Sequence, residues 1–258
     1  MKTITISDSG PVRTVTLNRP EVRNAFDRTM IEEIRGTFST IPDTVRAVVL
    51  TGAESTFCAG ADVAWMRDSI NCTEAENLRD AAAMEAMLRA IDECPAPVIG
   101  RINGPALGGG MGLVACCDIA VAIDTAQFGF TEVRLGIVPA VISPYSIAKI
   151  GPRAARRLFL TGETFDAAKA HAAGLVHEVV NGDQLDSTVH AITDAICRNG
   201  PQAVRIAKAL IREIVSLDRE GQREHSVATI ARVRVSAEGQ EGLLAFLEKR
   251  RPKWHANP

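Results

Sequence analysis

The N-terminal part of the chain alternates polar and apolar residues in two short segments, KTITI at 2–6 and VRTVTL at 12–17. Because Asp8-Ser9-Gly10 lies between them, the pattern predicts a β-hairpin. Three later runs are short and almost wholly apolar, which is typical of strands that are buried on both faces. These runs are AVVLTG (47–52), PVIGRI (97–102) and DIAVAI (118–123).

Helical periodicity separates these strands. Asp27 can cap a helix whose apolar stripe is Met30, Ile31, Ile34 and Phe38, and residues 74–93 form a second helical pattern. Since strands and helices alternate, the sequence predicts an α/β fold with crossover connections.

After about residue 143 the chain becomes rich in helical patterns, and the only strand predicted there begins at Gly174-Leu175-Val176. These helices are amphipathic, so they need a core or another subunit to cover their apolar faces. The predicted helical segments are 152–160, 166–173, 182–198, 202–216, 220–235 and 239–249.

Composition narrows the class of protein. The chain has 258 residues, 46% hydrophobic and 23% charged, with a net charge of -2. This is globular composition, and the near-neutral charge disfavours a nucleic-acid partner. Six cysteines without CxxC pairs or metal-ligand spacing predict no metal site and a reducing compartment. The N-terminus lacks a signal peptide pattern and no run is long enough to span a membrane, so we expect a cytoplasmic protein.

Two loops carry candidate chemistry, Phe57–Val63 after one predicted strand and Asn103–Gly112 after the next. A glycine cluster between a strand and a helix lets backbone N–H groups approach a ligand. The second loop lacks the Lys-Ser/Thr of a phosphate-binding loop, and Leu113 stands where a dinucleotide motif needs glycine. The cluster therefore either holds an oxyanion or packs a helix closely on a sheet.

Five segments in order along the chain resemble the enoyl-CoA hydratase/isomerase (crotonase) family. They are FCAGADVAWM, NGPALGGGMGL, CCDIAVAIDTAQFGFTEVRLGIVPA, RRLFLTGETFDAAKAHAAGLVHEVV and EGLLAFLEKR. The resemblance implies an α/β fold with a ββα spiral core over 1–195 and a helical oligomerisation region over 196–258. It also implies homotrimers or dimers of trimers, and an acyl-CoA substrate whose coenzyme A replaces any separate cofactor.

The resemblance assigns roles to two backbone amides, those of Ala61 and Gly109, which match the family's oxyanion hole. An enolate formed beside a thioester places negative charge on the oxygen that these donors bind. A second set of positions matches the family's coenzyme A contacts, with the last two near the adenine and its phosphate and often contributed by a neighbouring subunit. These positions are Ala25, Ala59, Gly60, Asp62, Val63, Phe246 and Lys249.

Proton transfer needs a side chain, and Glu132 in FTEVRLG matches one of the two glutamates of family hydratases. The other position is occupied by Gly112, which we expect to leave room for the acyl group. Ser143 and Tyr145 are candidate hydroxyl donors. The predicted substrate pocket comprises Trp65, Gly108, Gly112, Val141, Ile142, Ser143 and Tyr145.

The leading functional hypothesis is hydration of a 2-enoyl-CoA in lipid or fatty acid metabolism, with Glu132 as acid and base. The departures at Gly112 and in PAVISPY (139–145) resemble hydratases for branched, carboxylated substrates of the methylglutaconyl-CoA type. One alternative is a Δ3-Δ2-enoyl-CoA isomerase, which needs a single glutamate. Another is a non-catalytic or RNA-associating protein of the same fold, which the charge balance disfavours.

Overall fold

The computed structural model describes residues 1–255 and contains two sheets. Nine strands are present in this part of the chain: β1 (Ile4–Ser9), β2 (Val12–Leu17), β3 (Ala47–Gly52), β4 (Val98–Ile102), β5 (Ala106–Leu107), β6 (Ile119–Ile123), β7 (Gln127–Gly129), β8 (Thr164–Asp166) and β9 (Glu178–Val180). The larger sheet has the order β1-β2-β3-β4-β6-β9, and the smaller has the order β5-β7-β8.

The larger sheet begins with the predicted hairpin, in which β1 and β2 are antiparallel. Every later neighbour in this sheet is parallel, from the β2–β3 pair to the β6–β9 pair. Parallel strands require crossover segments, and helices on the sheet faces bury both sides of the strands. All six residues of β3 are buried accordingly.

Helices supply the remaining layers of the fold. Within residues 1–255 the α-helices are α1 (Arg28–Ser39), α2 (Val63–Ser69), α3 (Glu74–Asp92), α4 (Gly109–Cys116), α5 (Ser143–Thr161), α6 (Ala167–Ala172), α7 (Leu185–Cys197), α8 (Pro201–Ser216), α9 (Arg219–Val235) and α10 (Ala237–Leu247). Asp27 caps α1 as predicted, since its carboxylate accepts a hydrogen bond from the Met30 N–H at 2.9 Å. The predicted α/β class is therefore confirmed.

Three sequence-based predictions of elements were wrong or incomplete. The late strand does not begin at Gly174-Leu175-Val176 but at Glu178, because Gly174 has φ +83° and the Leu175 N–H bonds the Ala170 carbonyl, closing a turn after α6. Helix α5 starts earlier than predicted, at Ser143, and bends at Gly151 (φ 69°). The smaller sheet was missed, since strands of two or three residues carry no periodic signal.

The C-terminal helices expose much of their apolar surface. Helix α8 has no fully buried residue, and α9 and α10 have one each. No helix within residues 1–255 is long and apolar enough to cross a membrane. The end of the predicted oligomerisation region, 256–258, lies outside the described residues. The most exposed apolar side chains of these helices are Ile211, Val215, Val227, Val235, Phe246 and Leu247.

Candidate active site

The loop between β3 and α2 presents one backbone amide to the candidate site. Gly60, in a left-handed conformation (φ +94°), accepts a hydrogen bond from Phe26 N–H through its carbonyl at 2.9 Å. The Asp62 N–H donates to the Phe26 carbonyl at 3.0 Å, so this loop is clamped on both sides of Ala61. Within residues 1–255 the Ala61 N–H itself has no hydrogen-bond acceptor.

Asp62 fixes the far end of this loop. Its carboxylate accepts a hydrogen bond from Ala64 N–H at 2.7 Å, which caps α2, and lies 2.7 Å from the Arg19 guanidinium. Burial raises the pKa of this carboxyl, but the hydrogen bonds from Ala64 and Arg19 outweigh burial and hold the pKa below its ordinary value. Asp62 is therefore an ionised structural group that orders the loop.

The second amide belongs to the glycine cluster that opens α4. Gly108 has φ +50°, and Gly109 is the first residue of the helix, so its N–H lies beyond the reach of any intrahelical acceptor. No other atom of the described chain accepts from the Gly109 N–H. The two loops approach closely, since a Cβ built on Gly60 would lie 3.2 Å from Gly109 N. The amides of Ala61 and Gly109 are thus brought together.

Gly109 is required by packing as well as by the exposed amide. A Cβ at this position would overlap the Phe26 ring, lying 2.9 Å from its Cε1, and would be 3.1 Å from Met84 Cε. Close packing, one of the two interpretations that the sequence left open, therefore applies to Gly109, while an oxyanion-binding role for its amide stays a prediction. The absence of a side chain lets Phe26 pack under the first turn of α4.

Glu132 lies at the start of a short 3-10 helix (Glu132–Leu135) that follows β7. Its Oε1 lies 3.8 Å from the position of a Cβ on Gly108, which places the carboxylate at the glycine cluster. Its Oε2 is buried, and no group of residues 1–255 donates a hydrogen bond to it. Partial burial raises the pKa of Glu132 above the ordinary value, because it disfavours the charged form.

The expected open space at Gly112 is absent, and this prediction was wrong. A Cβ on Gly112 would overlap Ile142 Cγ2 and would lie 3.0 Å from Ile142 Cβ. It would also lie 3.3 Å from Leu88 Cδ2 on α3. Ile142 is 1% exposed, so the side chain missing from α4 is replaced by one that enters from the loop before α5.

The predicted hydroxyl donors are both engaged elsewhere. Ser143 donates its hydroxyl to the Ala140 carbonyl at 2.7 Å, and Tyr145 donates to Glu85 Oε1 at 3.5 Å. Burial raises the pKa of the Tyr145 phenol. Tyr145 and the half-buried Val141 pack against the main core.

Trp65 lies beside Phe26, the residue that packs under the first turn of α4. Its ring centroid lies 6.2 Å from that of Phe26, and its indole Nε1–H donates to Asp80 Oδ2 at 3.1 Å. Asp80 also pairs with Arg28 at 2.7 Å, so Trp65 is held by groups from α1 and α3. The indole therefore has an apolar contact with Phe26 and a polar contact with Asp80.

The residues expected to contact coenzyme A divide into two groups. Ala25 and Ala59 lie on neighbouring segments, because the Ala59 N–H donates to the Arg23 carbonyl at 3.0 Å and Phe26 pairs with Ala61. Val63 is exposed beside them. Phe246 and Lys249 lie at the end of α10, which packs on α8 and α9, and both side chains are exposed.

Sequence reasoning missed Arg19 and Phe26, although each touches the candidate site. Arg19 stands in an Arg-Pro pair that only indicated the end of a hairpin, and Phe26 stands in a loop. Among residues 1–255 no group of three or more His, Cys, Asp or Glu side chains could hold a metal ion.

Known proteins resemble this chain in both sequence and fold. The sequence profile of a family described as enoyl-CoA hydratase/isomerase matches residues 8–257. An enoyl-CoA hydratase structure from Shewanella pealeana superposes with a TM-score of 0.93 at 38% identity, covering 98% of this chain and 96% of the other. A crotonyl-CoA hydratase from Syntrophomonas wolfei is 33% identical over 91% of each chain. A mevalonyl-coenzyme A hydratase from Aspergillus fumigatus is 35% identical over 93% of this chain and 90% of its own.

Proposed function

Because this chain belongs to the enoyl-CoA hydratase/isomerase family, we propose that it adds water to the C2–C3 double bond of a 2-enoyl-CoA thioester. The observation that carries this proposal is the convergence of three groups at one glycine cluster. Two backbone amides, of Ala61 and Gly109, have no acceptor within residues 1–255, and the carboxylate of Glu132 faces Gly108. This arrangement suits a substrate that gains negative charge on oxygen while a proton moves.

The two amides form the proposed oxyanion hole. When water attacks C3 of the enoyl group, the electrons of the double bond move toward the thioester oxygen and create an enolate. Preorganised N–H donors stabilise that charge, and each contributes about 3–4 kcal/mol in comparable oxyanion holes. The donors here are fixed before substrate arrives, because the Ala61 loop is clamped by Phe26 and Gly109 begins a helix.

Glu132 is the proposed acid and base. As a carboxylate it takes a proton from the attacking water, so that hydroxide adds to C3, and it then returns a proton to C2 of the enolate. Burial raises the pKa of Glu132, which makes its carboxylate a stronger base. Its Oε2, to which no described group donates, leaves one oxygen for water or substrate.

Coenzyme A is proposed to bind along Ala25, Ala59 and Val63, with Phe246 and Lys249 of an adjoining subunit beside the adenine and phosphate. The apolar surface of α8–α10 supports self-association, since Phe246 is 81% exposed in a single chain. The proposed assembly is a homotrimer or a dimer of trimers built through residues 196–258. Sedimentation equilibrium tests it, and a monomer at micromolar concentration would contradict it.

The function is tested by following the loss of enoyl absorbance with crotonyl-CoA and identifying the product by mass. The expected product is heavier than the substrate by one water and forms at least about 100-fold more slowly with the Glu132→Gln variant. If neither crotonyl-CoA nor a branched 2-enoyl-CoA gains water, the hydratase proposal fails.

A second candidate is Δ3-Δ2-enoyl-CoA isomerisation, favoured by the aliphatic Ile142 side chain in place of a second carboxylate at Gly112. Glu132 alone can take a proton from C2 and return it to C4. Supplying a 3-enoyl-CoA to the same protein separates the two reactions, because only isomerisation produces a 2-enoyl-CoA of unchanged mass.

The finer assignments remain proposals. A branched, carboxylated acyl group is supported by the similarity to the mevalonyl-coenzyme A hydratase, while the filled space at Gly112 weighs against a bulky substituent. A role in fatty acid metabolism and a cytoplasmic location are also proposed from the sequence. Activity on a panel of straight, branched and carboxylated 2-enoyl-CoA thioesters tests the substrate assignment.

A further inference from the structure

Ile142 and Gly112 interlock beside the candidate site. The Ile142 side chain lies where a Cβ of Gly112 would be, and Leu88 closes the third side. Both Gly112 and Ile142 are buried, so this contact is part of the packed interior of the protein. The glycine at position 112 is thus matched to Ile142, which lies thirty residues later in the chain.

The position of this pair relative to the chemistry follows from helix geometry. Gly109 and Gly112 are three residues apart in α4, and both face α3, because their Cβ positions would lie 3.1 Å from Met84 Cε and 3.3 Å from Leu88 Cδ2. The amide of Gly109 lies three residues before Gly112, which is a rise of about 4.5 Å along the helix axis. That rise is about the length of three carbon–carbon bonds. An acyl chain that runs along α4 from the Gly109 amide toward Gly112 has C3 and C4 level with Ile142.

We propose that Ile142 determines acyl selectivity by filling the space at Gly112 and excluding a substituent on C3. This inference rests on the proposed reaction of 2-enoyl-CoA thioesters and names the acyl groups that the site accepts. The expected substrates are unbranched at C3. This reverses the expectation that a glycine at 112 gives room for a branched chain.

Ile142 is suited to this role because its side chain is stiff. β-Branched residues have few rotamers, so the methyl group that meets Gly112 does not swing away at low cost. The backbone of Ile142 is fixed too, since its carbonyl accepts a hydrogen bond from Ser146 N–H at 3.0 Å in the first turn of α5. Met84, the flexible neighbour at Gly109, has no such restriction.

The test compares kcat/KM for crotonyl-CoA and 3-methylcrotonyl-CoA in wild type and Ile142→Ala. Opening the wall should move the ratio of the two values at least about 10-fold toward the branched substrate, the range that a methyl-sized change produces in an apolar pocket. The matched control is Ile150→Ala, which truncates a buried isoleucine two turns further along α5 and should leave the ratio within about 2-fold.

A second pair of variants keeps the test sound if Ile142→Ala is poorly folded. Gly112→Ala places a methyl group onto Ile142 and should lower Tm, while Gly112→Ala with Ile142→Ala exchanges the two volumes and should recover part of the loss. Recovery confirms that the residues interlock. An unchanged substrate ratio in Ile142→Ala, or in the double variant where the single is unfolded, would overturn the selectivity proposal.

The outcome is separable from failure of the proposed function. If wild type hydrates crotonyl-CoA but the ratio is insensitive to residue 142, the reaction stands and the selectivity proposal is wrong. If wild type hydrates 3-methylcrotonyl-CoA faster than crotonyl-CoA, the proposal is also wrong. If wild type transforms no 2-enoyl-CoA thioester at all, the proposed function is what fails.

Discussion

The guanidinium of Arg19 lies 2.7 Å from the carboxylate of Asp62, the residue that follows the Ala61 amide. The side chains are 17% and 7% exposed, so this ion pair is largely shielded from water. Arg19 also donates to the Ala25 carbonyl at 2.7 Å. A single side chain therefore connects the segment around Ala25 to the loop that carries Ala61.

Replacing Arg19 by methionine should destabilise the protein and reduce turnover more than substrate binding. The change leaves the Asp62 carboxylate without its counter-charge, and removing one partner of a buried pair costs about 3–5 kcal/mol. A displaced Ala61 amide weakens an interaction that matters most in the transition state, so kcat should fall more than KM rises. Thermal unfolding and steady-state kinetics measure the two effects.

The control for this prediction is Arg13→Met. Arg13 pairs with Asp8 at a similar 2.8 Å, but the aspartate is 48% exposed and the pair lies on the β1–β2 hairpin. Exposed pairs contribute about 0–1 kcal/mol, so both stability and kinetics should stay close to wild type. Equal losses in the two variants would show that burial of the Arg19 pair has no special importance.

Substituting Gly109 by alanine should lower kcat/KM by about 100-fold or more, the usual effect of losing one oxyanion donor. The new methyl group would overlap the Phe26 ring, so the first turn of α4 must shift. Adding Phe26→Leu removes part of the ring and should restore some activity. Gly36→Ala, in open space on α1, is the control for folding. Full activity in a folded Gly109→Ala protein would contradict the proposed position of this donor.

Much of the framework could be predicted from sequence because it depends on local or repeated signals. The continuous apolar run 47–52 became β3, and Asp27 capped α1 as its residue type favours. The Gly109 position also followed from the matched motif, since only a residue without a side chain fits against Phe26. The strand and the cap are dictated by residues close together in the chain, whereas the contact of Gly109 with Phe26 joins distant segments.

The pairings between distant residues could not be predicted. No pattern near Gly112 indicates that Ile142 enters its space, because the contact joins α4 to a residue thirty positions later. Arg19 likewise carries no signal for Asp62, which lies on another loop. Side-chain volume and charge pairing across the core depend on the packed structure, so the sequence alone predicted an open pocket where the protein has a wall.

Exchanging Glu132 for glutamine should reduce turnover by about 100-fold to 10,000-fold while substrate binding stays nearly unchanged. The amide preserves shape but cannot accept a proton. Glu85→Gln is a matched control, since Glu85 is also near the predicted pocket but is bound to Tyr145. Single-turnover kinetics and equilibrium binding of crotonyl-CoA separate chemistry from affinity. If Glu132→Gln keeps more than about a tenth of the rate, a loss below about 1.4 kcal/mol in the barrier, Glu132 is not the base.

Glu132→Gln, which should lower turnover, should raise the stability of the folded protein near neutral pH. Burial raises the pKa of Glu132 in the folded protein, so folding favours the protonated carboxyl. Its contribution to stability is present at low pH and is lost as pH rises through the folded pKa, because the charged form is then buried without a partner. Glu132→Gln should therefore match wild type at low pH and exceed it in Tm near neutrality.

Glu163 supplies the control of opposite sign. Hydrogen bonds from Lys169 and then Arg157 lower the pKa of Glu163, so its contribution to stability is present at neutral pH and disappears as pH falls through that lowered pKa. Glu163→Gln should be less stable than wild type near neutrality and approach it in acid. Tm measured for the three proteins between about pH 2.5 and pH 8 covers the ordinary range of carboxyl titration together with its lowered and raised values. A Glu132→Gln protein that is less stable than wild type at neutral pH would show that the buried carboxylate is stabilised by a partner, such as an ordered water, and would contradict the proposed raised pKa.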